Sequence, residues 1–283
     1  MSSSEAFILN TIQTPASLLP VYRSIDDGHS TKEAITEDTG IESGLDETLK
    51  GLQLLRMIGR EESQYYASDY QWDVNDEEWN FKLSALHNLA QETDPRDWGR
   101  QAVVLLNYAY LLEHNQQYFA NNQESLYIEM DDWHRDKGYE PHSSVGVITH
   151  NDPKFGNWTR LVRFLGLAHK VSGRNHTVYP RPGLVGISLE LAVEDVGTEI
   201  DGAPGIETQR YLQWLRDNLL YITTTQDGMI PAPFARILYE LVCQDAIELI
   251  EYGDAGMVEL DGVPPHENID SETNAIILTN DEH

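Results

Sequence analysis

The sequence predicts a mainly α protein with two or three units, each built of helices followed by a short β-hairpin, joined by a helical connector. Two observations predict this architecture. Apolar residues recur at helical spacing along most of the chain, as expected for helices that bury one face. The order helix, glycine, strand, turn, strand occurs twice, at 52–66 and at 161–179. With 40% apolar residues among 283, the chain can form several small cores.

Residues 1–70 are predicted to form a winged helix-turn-helix domain. After a first helix, Ser30 is predicted to cap a second one, with Glu33 completing a capping box three residues later. A third helix is predicted at about 43–55, and two short strands flank the polar stretch 59–64 as the strands of a wing would. A glycine-containing turn between two short helices is the usual helix-turn-helix signal.

The rest of the chain divides into four further segments. Stripes of Leu and Ala predict a helical connector at 77–130. A second winged-helix-like unit is predicted at 131–196, because a helix ending at glycine precedes two short strands there. A third such unit is predicted at 206–262, after a linker at 197–206 that is rich in Gly, Pro and Asp. It has a helix introduced by Pro231 and Pro233, and a hairpin in which 247–252 and 257–260 flank a turn at 253–256. The acidic segment 264–283 is predicted to be a disordered tail.

The charge balance of the chain is extreme. It carries 47 acidic residues against 19 Lys and Arg, which gives a net charge of −28. Lys is scarce relative to Arg. This pattern is typical of proteins from halophilic archaea, where salt near 1 M shortens the Debye length to about 3 Å and screens self-repulsion. An acidic mesophilic protein is the alternative.

One segment departs from this acidity. Residues 153–189, called here the basic segment, contain no Asp or Glu, although an even spread of the 47 acids would place about six there. A surface kept free of negative charge in so acidic a protein indicates a polyanionic partner, most often nucleic acid. The alternative is that these cations pair with the protein's own carboxylates. The basic residues of the segment are Lys154, Arg160, Arg163, Lys170, Arg174 and Arg181.

Two groups of residues are predicted to contact DNA. In docking of this kind, cationic side chains hold phosphates, while Asn157 or Arg160 reaches a base edge. The group in the second unit comprises Lys154, Asn157, Arg160, Arg163, Lys170, Arg174 and His176. The group on the helix at 43–55, the recognition helix of a helix-turn-helix, comprises Ser43, Thr48 and Lys50. Acids on the same helix oppose phosphate binding there, so that unit has the alternative of serving only for packing or for protein contacts.

No catalytic site, cofactor or metal is predicted. Carboxylates and histidines do cluster near the start of the second unit, at Asp131, Asp132, His134, Asp136, His150 and Asp152. However, no tight ligand spacing such as HExxH is present, and a solvated helix end explains the cluster. Asp152-Pro153-Lys154 has the D-x-K spacing of metal-dependent nucleases, which leaves nuclease activity as a minor alternative.

Two stretches of the sequence carry resemblances to known families. The helices and wing at 14–66 resemble the winged-helix superfamily. The stretch Asn157–Leu167, followed by Tyr179-Pro180-Arg181-Pro182, combines a Trp-containing helix, a Leu-Gly, a hairpin and a Pro-x-Pro exit. It is similar to the DpdG-type accessory proteins of defence islands that install deazaguanine in DNA. This resemblance implies an auxiliary role without catalysis.

These features predict a non-enzymatic, cytoplasmic protein that binds DNA or scaffolds partners on it, within a defence or modification system. One alternative is a winged-helix transcriptional regulator that binds as a homodimer, and another is a protein-interaction subunit without affinity for nucleic acid. The only cysteine, Cys243, excludes disulfides within the chain and is expected to be a small core residue. The sequence contains no run of 18 apolar residues, so no membrane partner is expected.

Overall fold

A computed structural model describes residues 6–141, 148–222, 224–225, 227–253, 256–264 and 272–279. It is mainly helical, with about 49% helix and 16% strand in small antiparallel sheets. Packing divides the chain into two compact units, and each unit is discontinuous in sequence. The first unit comprises Met1–Asn107 and Asn121–Leu165, and the second comprises Tyr108–Ala120 and Gly166–His283. None of the described helices is long and apolar enough to cross a lipid bilayer.

The described residues form ten α-helices and eleven short strands. In chain order, the helices α1 to α10 are Leu18–Asp26, Lys32–Thr39, Leu45–Leu54, Glu77–Ala90, Val103–Glu113, Glu124–Asp136, Asp152–Phe164, Pro182–Val196, Thr208–Asn218 and Ala232–Cys243. The strands β1 to β11 are Ile58–Glu61, Gln64–Ala67, Tyr118–Ala120, His169–Ser172, Asn175–Thr177, Thr198–Ile200, Ala203–Glu207, Ile247–Ile250, Val258–Glu259, Glu272–Thr273 and Ala275–Leu278.

The first unit begins with three helices, α1 to α3, followed by the β1–β2 hairpin. The third helix and the hairpin were predicted at these places. The helix cap differs from the prediction, because the Thr31 side chain, not that of Ser30, accepts the amide of Ala34 at 3.3 Å. Gly40 ends α2 with φ of 69°, the left-handed conformation that favours glycine. The amide of Tyr65 on β2 also donates to the carbonyl of Ser30 at 2.8 Å, which ties the hairpin to the chain before α2.

The core of the first unit is closed by α7. Trp158 is fully buried on this helix, and its indole N–H donates to the carbonyl of Val104 at 3.0 Å. Phe81 of α4 packs edge-on against Phe164, with ring centroids 6.0 Å apart. These contacts attach α7 to residues far from it in sequence, so α7 belongs to the first unit although it was predicted to form one domain with the hairpin that follows it.

The second unit contains a four-stranded sheet in the order β6-β7-β11-β8, with every neighbouring pair antiparallel. Helix α8 packs against α9 and α10. The hydroxyls of Ser188 on α8 and Tyr211 on α9 are hydrogen-bonded at 2.6 Å inside this core. A separate three-stranded sheet has the order β3-β5-β4, and β9 pairs with β10.

Three predictions for this half of the chain are wrong. The predicted tail at 264–283 contains β11, an inner strand of the sheet, because its apolar run Ala275–Leu278 is buried between β7 and β8. The predicted linker at 197–206 is the β6–β7 hairpin. The strand β8 was predicted to pair with residues 257–260, but it pairs with β11. Residues 265–271 and 280–283 of the predicted tail, and 254–255 of the predicted turn, lie outside the described residues.

The division into units also falls inside the predicted domain 131–196, between Leu165 and Gly166. The helix α8, which lies within the predicted bounds of that domain, packs with the helices of the predicted third unit instead. The predicted connector 77–130 holds α4 and α5 as expected, and it also contains the strand β3.

Candidate nucleic-acid interface

The helix α7 presents two arginines of the basic segment. Its first turn is fixed by Asn151, whose side chain accepts the amide of Lys154 at 3.1 Å, and by Pro153 near the helix start. Successive residues of a helix are about 100° apart, so Arg160 and Arg163 lie about 60° apart on one side. The opposite side carries Trp158, Leu161, Val162 and Leu165, which are all buried. Arg160 is exposed and Arg163 half-buried.

Asn157 does not reach outward to a base, as was predicted. It is buried, and its amide Nδ2 donates to the carbonyl of Leu9 at 2.7 Å. Its Oδ1 accepts a hydrogen bond from the guanidinium of Arg160. The prediction is wrong because position 157 lies where α7 meets the N-terminal segment. Asn157 therefore anchors the helix and orients Arg160.

The anchoring role of Asn157 predicts a stability effect. In the Asn157→Ala variant the buried carbonyl of Leu9 loses its donor, so the free energy of unfolding should fall by about 1–3 kcal/mol. Urea denaturation measures this, with the exposed Asn122→Ala variant as the control that should change little. Unchanged stability of the Asn157 variant would contradict the anchoring role.

The cations of the β4–β5 hairpin lie in the second unit. Lys170 and Arg174 are exposed, as predicted for residues of a wing. His176 was predicted to be a contact residue, but its side chain is 2% exposed and stacks on Phe119 of β3, with ring centroids 5.3 Å apart. This prediction is wrong because β5 is the middle strand of its sheet, and residue 176 points into the packed face.

Within the described residues, no cation of the basic segment forms an ion pair with a carboxylate. The ammonium of Lys154 donates a hydrogen bond to the carbonyl oxygen of Thr149 at 2.7 Å. The guanidinium of Arg160 donates to the side-chain amide oxygen of Asn157. Among the residues that the structure describes outside this segment, ion pairs with acids are formed by cations that include Arg23, Lys32, Arg56, Lys82, Arg96 and Arg135. No described carboxylate therefore lies within ion-pairing distance of these cations of the basic segment.

The predicted recognition helix α3 fits DNA less well. Thr48 was predicted to be exposed, but it is buried, and its hydroxyl bonds the carbonyl of Gly44 and the hydroxyl of Ser17 at 2.9 and 2.8 Å. Ser43 and Lys50 are exposed as predicted. The acids Asp46 and Glu47 are exposed on the same helix and would repel phosphate.

The D-x-K segment lies at the start of a helix. Asp152 lies in the first turn of α7 and not on a strand, and it accepts the hydroxyl of Tyr127 at 2.7 Å. That hydrogen bond, with some burial, raises the pKa of Tyr127 to about 12. The ammonium of Lys154 is bonded to a backbone carbonyl and not to a site shared with Asp152.

The structure brings together three other members of the predicted carboxylate and histidine cluster. Asp131, His134 and His150 each direct one ligand atom into a space where these atoms lie within 4.8 Å of one another. The sequence did not single out this trio. The available signal was the spacing of Asp131 and His134, three residues apart and therefore on one side of α6.

Comparison with known proteins gives no relative on which to base a function. No protein-family model, curated protein or solved structure matches the chain. Proposals for its function therefore depend on the geometry and charges described above.

Proposed function

We propose that this protein is a non-enzymatic, DNA-associated adaptor whose basic segment binds the phosphate backbone. The observation that carries the proposal is that no cation of the segment is paired with a described carboxylate, although acids outnumber bases more than twofold in the chain. An arginine without a carboxylate partner can bind phosphate, since a planar guanidinium binds phosphate through two hydrogen bonds. Phosphate contacts of this kind give affinity and position without sequence preference.

The order of elements supports assigning winged-helix-like units at both ends of the chain. In the first unit three helices precede a hairpin. In the second, the order is α8, β6, β7, α9, α10, β8, β9, β10 and β11, and β11 lies between β7 and β8 in the sheet. Without β6, β9 and β10, the remaining elements are α8, β7, α9, α10, β8 and β11. A winged-helix domain has this arrangement: a helix, a strand, two helices and two further strands, with the last strand in the middle of the sheet. This assignment replaces the predicted boundaries 206–262.

The charges of the helices at the recognition-helix positions favour protein partners for these two units. On α3 the exposed acids Asp46 and Glu47 stand beside the single exposed cation Lys50. On α10 the exposed side includes one cation, Arg236, and one acid, Glu240. Neither helix has a positively charged surface that would attract phosphates. An adaptor that holds DNA through the basic segment and other subunits through its outer units accounts for both patterns.

The cellular setting is also part of the proposal. The net charge of −28 favours a cytoplasm near molar salt, as in halophilic archaea. The similarity of Asn157–Leu167 to DpdG-type accessory proteins favours a role beside the enzymes of a DNA-modification or antiviral defence system.

The salt dependence of DNA binding tests the proposal. Affinity for a duplex of about 30 base pairs should fall with KCl, and each phosphate contact adds about 0.9 to the slope of log K against log salt. In the Arg160→Glu/Arg163→Glu variant that slope should become shallower by about 2. Fluorescence anisotropy measures binding from about 0.3 M to 1 M KCl, a range in which circular dichroism must first show that the protein is folded.

A control variant with the same change in charge separates a local contact from net charge. Arg96 and Arg210 are exposed and lie outside the basic segment, so Arg96→Glu/Arg210→Glu should keep the wild-type slope. Equal loss in both double variants would contradict the proposed contact. Absence of DNA binding would instead favour the protein-interaction subunit. A transcriptional regulator would show a dimer that selects a palindromic site.

A further inference from the structure

A buried carboxylate and two buried histidines meet between α6 and the chain that leads into α7. Asp131 and His134 lie on α6, and His150 lies two residues before α7 begins. The carboxylate of Asp131 accepts both the backbone amide of His150, at 2.9 Å, and its ring Nδ1, at 2.6 Å. The His150 side chain is fully buried, and that of Asp131 is 15% exposed. All three residues belong to the first unit.

His134 is the unusual member of this cluster. It is 0% exposed, and among the described residues neither of its ring nitrogens has a hydrogen-bond partner. A neutral imidazole has one donor and one acceptor, and burying either of them without a partner is unfavourable. The rings of Trp133 and Tyr139 pack against the His134 ring in T-shaped arrangements and form no hydrogen bond with its nitrogens.

The three donors suit a first-row transition metal. Two imidazole nitrogens and one carboxylate oxygen are common ligands of Zn²⁺, at about 2.0–2.2 Å from the ion. Donors around such an ion are about 3–4 Å apart, and the three ligand atoms here lie within 4.8 Å of one another, so no separation would have to shorten by more than about 1–2 Å. A small rotation of side chains supplies such a change. The ion would take the place of the proton between His150 and Asp131.

The remaining nitrogen of His150 also has the partner that a ligand histidine requires. Its Nε2 lies 2.9 Å from the amide Nδ2 of Asn107, which is fully buried. Ligand histidines are usually oriented by a hydrogen bond from the ring nitrogen that does not bind the metal. The oxygen and nitrogen of an amide can exchange places by rotation, so Asn107 can accept from an Nε2–H as well as donate to a bare Nε2.

We propose that Asp131, His134 and His150 form a binding site for one divalent transition-metal ion, with Zn²⁺ as its best fit. The bound ion joins the last turns of α6 to the residue that precedes the cap of α7. It thereby fixes the start of the helix that carries Arg160 and Arg163. The proposal does not depend on DNA binding, because metal affinity is measured on the protein alone.

Metal titration of the full chain tests this site. After treatment with a chelator, the protein should bind one Zn²⁺ per chain in competition with a chromophoric indicator, and Co²⁺ should give visible absorption bands typical of a low-coordinate site. His134→Phe keeps an aromatic ring but removes both nitrogens, so zinc affinity should fall by more than the 10- to 100-fold typical of losing an outer hydrogen-bond partner. His134→Cys retains a donor atom and should recover binding.

Two controls make the outcome decisive. His176→Phe removes another buried histidine, which lies outside the cluster, and should leave zinc affinity unchanged. Thermal unfolding with and without Zn²⁺ should show a rise in Tm for wild type and no rise for His134→Phe. The proposal is overturned if the wild type binds no stoichiometric ion, or if His134→Phe binds zinc as tightly as wild type, since His134 would then be only a packed aromatic ring of the core.

Discussion

Transfer of the protein from about 2 M to about 0.1 M KCl is expected to lower its free energy of unfolding by about 3 kcal/mol or more. Two like charges 10 Å apart in water repel each other by about 0.4 kcal/mol without salt, and by about 0.15 kcal/mol at 0.1 M salt, where the Debye length is also about 10 Å. About twenty such pairs in the compact state would supply the expected loss of about 3 kcal/mol, and the chain carries a net charge of −28. For a chain of this size the loss corresponds to a fall in Tm of about 6–12 °C.

The shape of the salt dependence distinguishes screening from general salt effects. Screening is nearly complete at 1 M salt, where the Debye length is about 3 Å, so Tm should rise steeply at low KCl and level off above that concentration. Scanning calorimetry across a KCl series measures the curve. A Tm that does not change with KCl, or that rises linearly over the whole range, would contradict the halophilic interpretation of the acidic composition.

Substitution of Ile276 by alanine is expected to destabilise the second unit by about 2–5 kcal/mol, which is the usual cost of truncating a large aliphatic side chain in a core. Ile276 is fully buried on β11, opposite Ile206 of β7 on one side and Leu249 of β8 on the other. Because β11 is an inner strand, the cavity would lie in the middle of the sheet and could not be filled from solvent. Urea denaturation followed by circular dichroism measures the change.

The same substitution at an exposed position provides the matched control. Ile128 on α6 is 50% exposed, so Ile128→Ala should change the free energy of unfolding by no more than about 0.5 kcal/mol. If the two variants were equally stable, residues 272–279 would behave as the tail that the sequence predicted, and the strand order of the sheet would be wrong.

Local signals in the sequence were sufficient for several elements. The helical stripes located α1 to α3, α7 and α10, and the polar turn between two short apolar runs located the β1–β2 hairpin. The pairing of β8 with β11 was missed because the partner strand lies 25 residues further on, after an acidic stretch. Turn residues indicate only the pairing of strands that are adjacent in sequence, whereas the pairing of strands separated by such a distance is determined by which residues become buried.

The candidate site was predicted in part. The absence of acids from 153–189 indicated cations without acidic partners, and the described contacts agree with that. Exposure was predicted wrongly at Thr48, Asn157 and His176, which are buried, and at Cys243, which is exposed and not a core residue. Helix and strand periodicity indicates which side of an element a residue occupies but not which segments cover that side. The cluster of Asp131, His134 and His150 depends on a contact across 16 residues, which spacing along one helix could only suggest.

The interleaving of the two units constrains how the chain can fold during synthesis. Residues 108–120 belong to the second unit but are made before 121–165, which complete the first. The first unit therefore cannot close until residue 165 has left the ribosome, and the sheet of the second waits for residue 278. The apolar sides of α8 to α10 remain uncovered in the meantime, which is when nascent chains are most exposed to aggregation and chaperones.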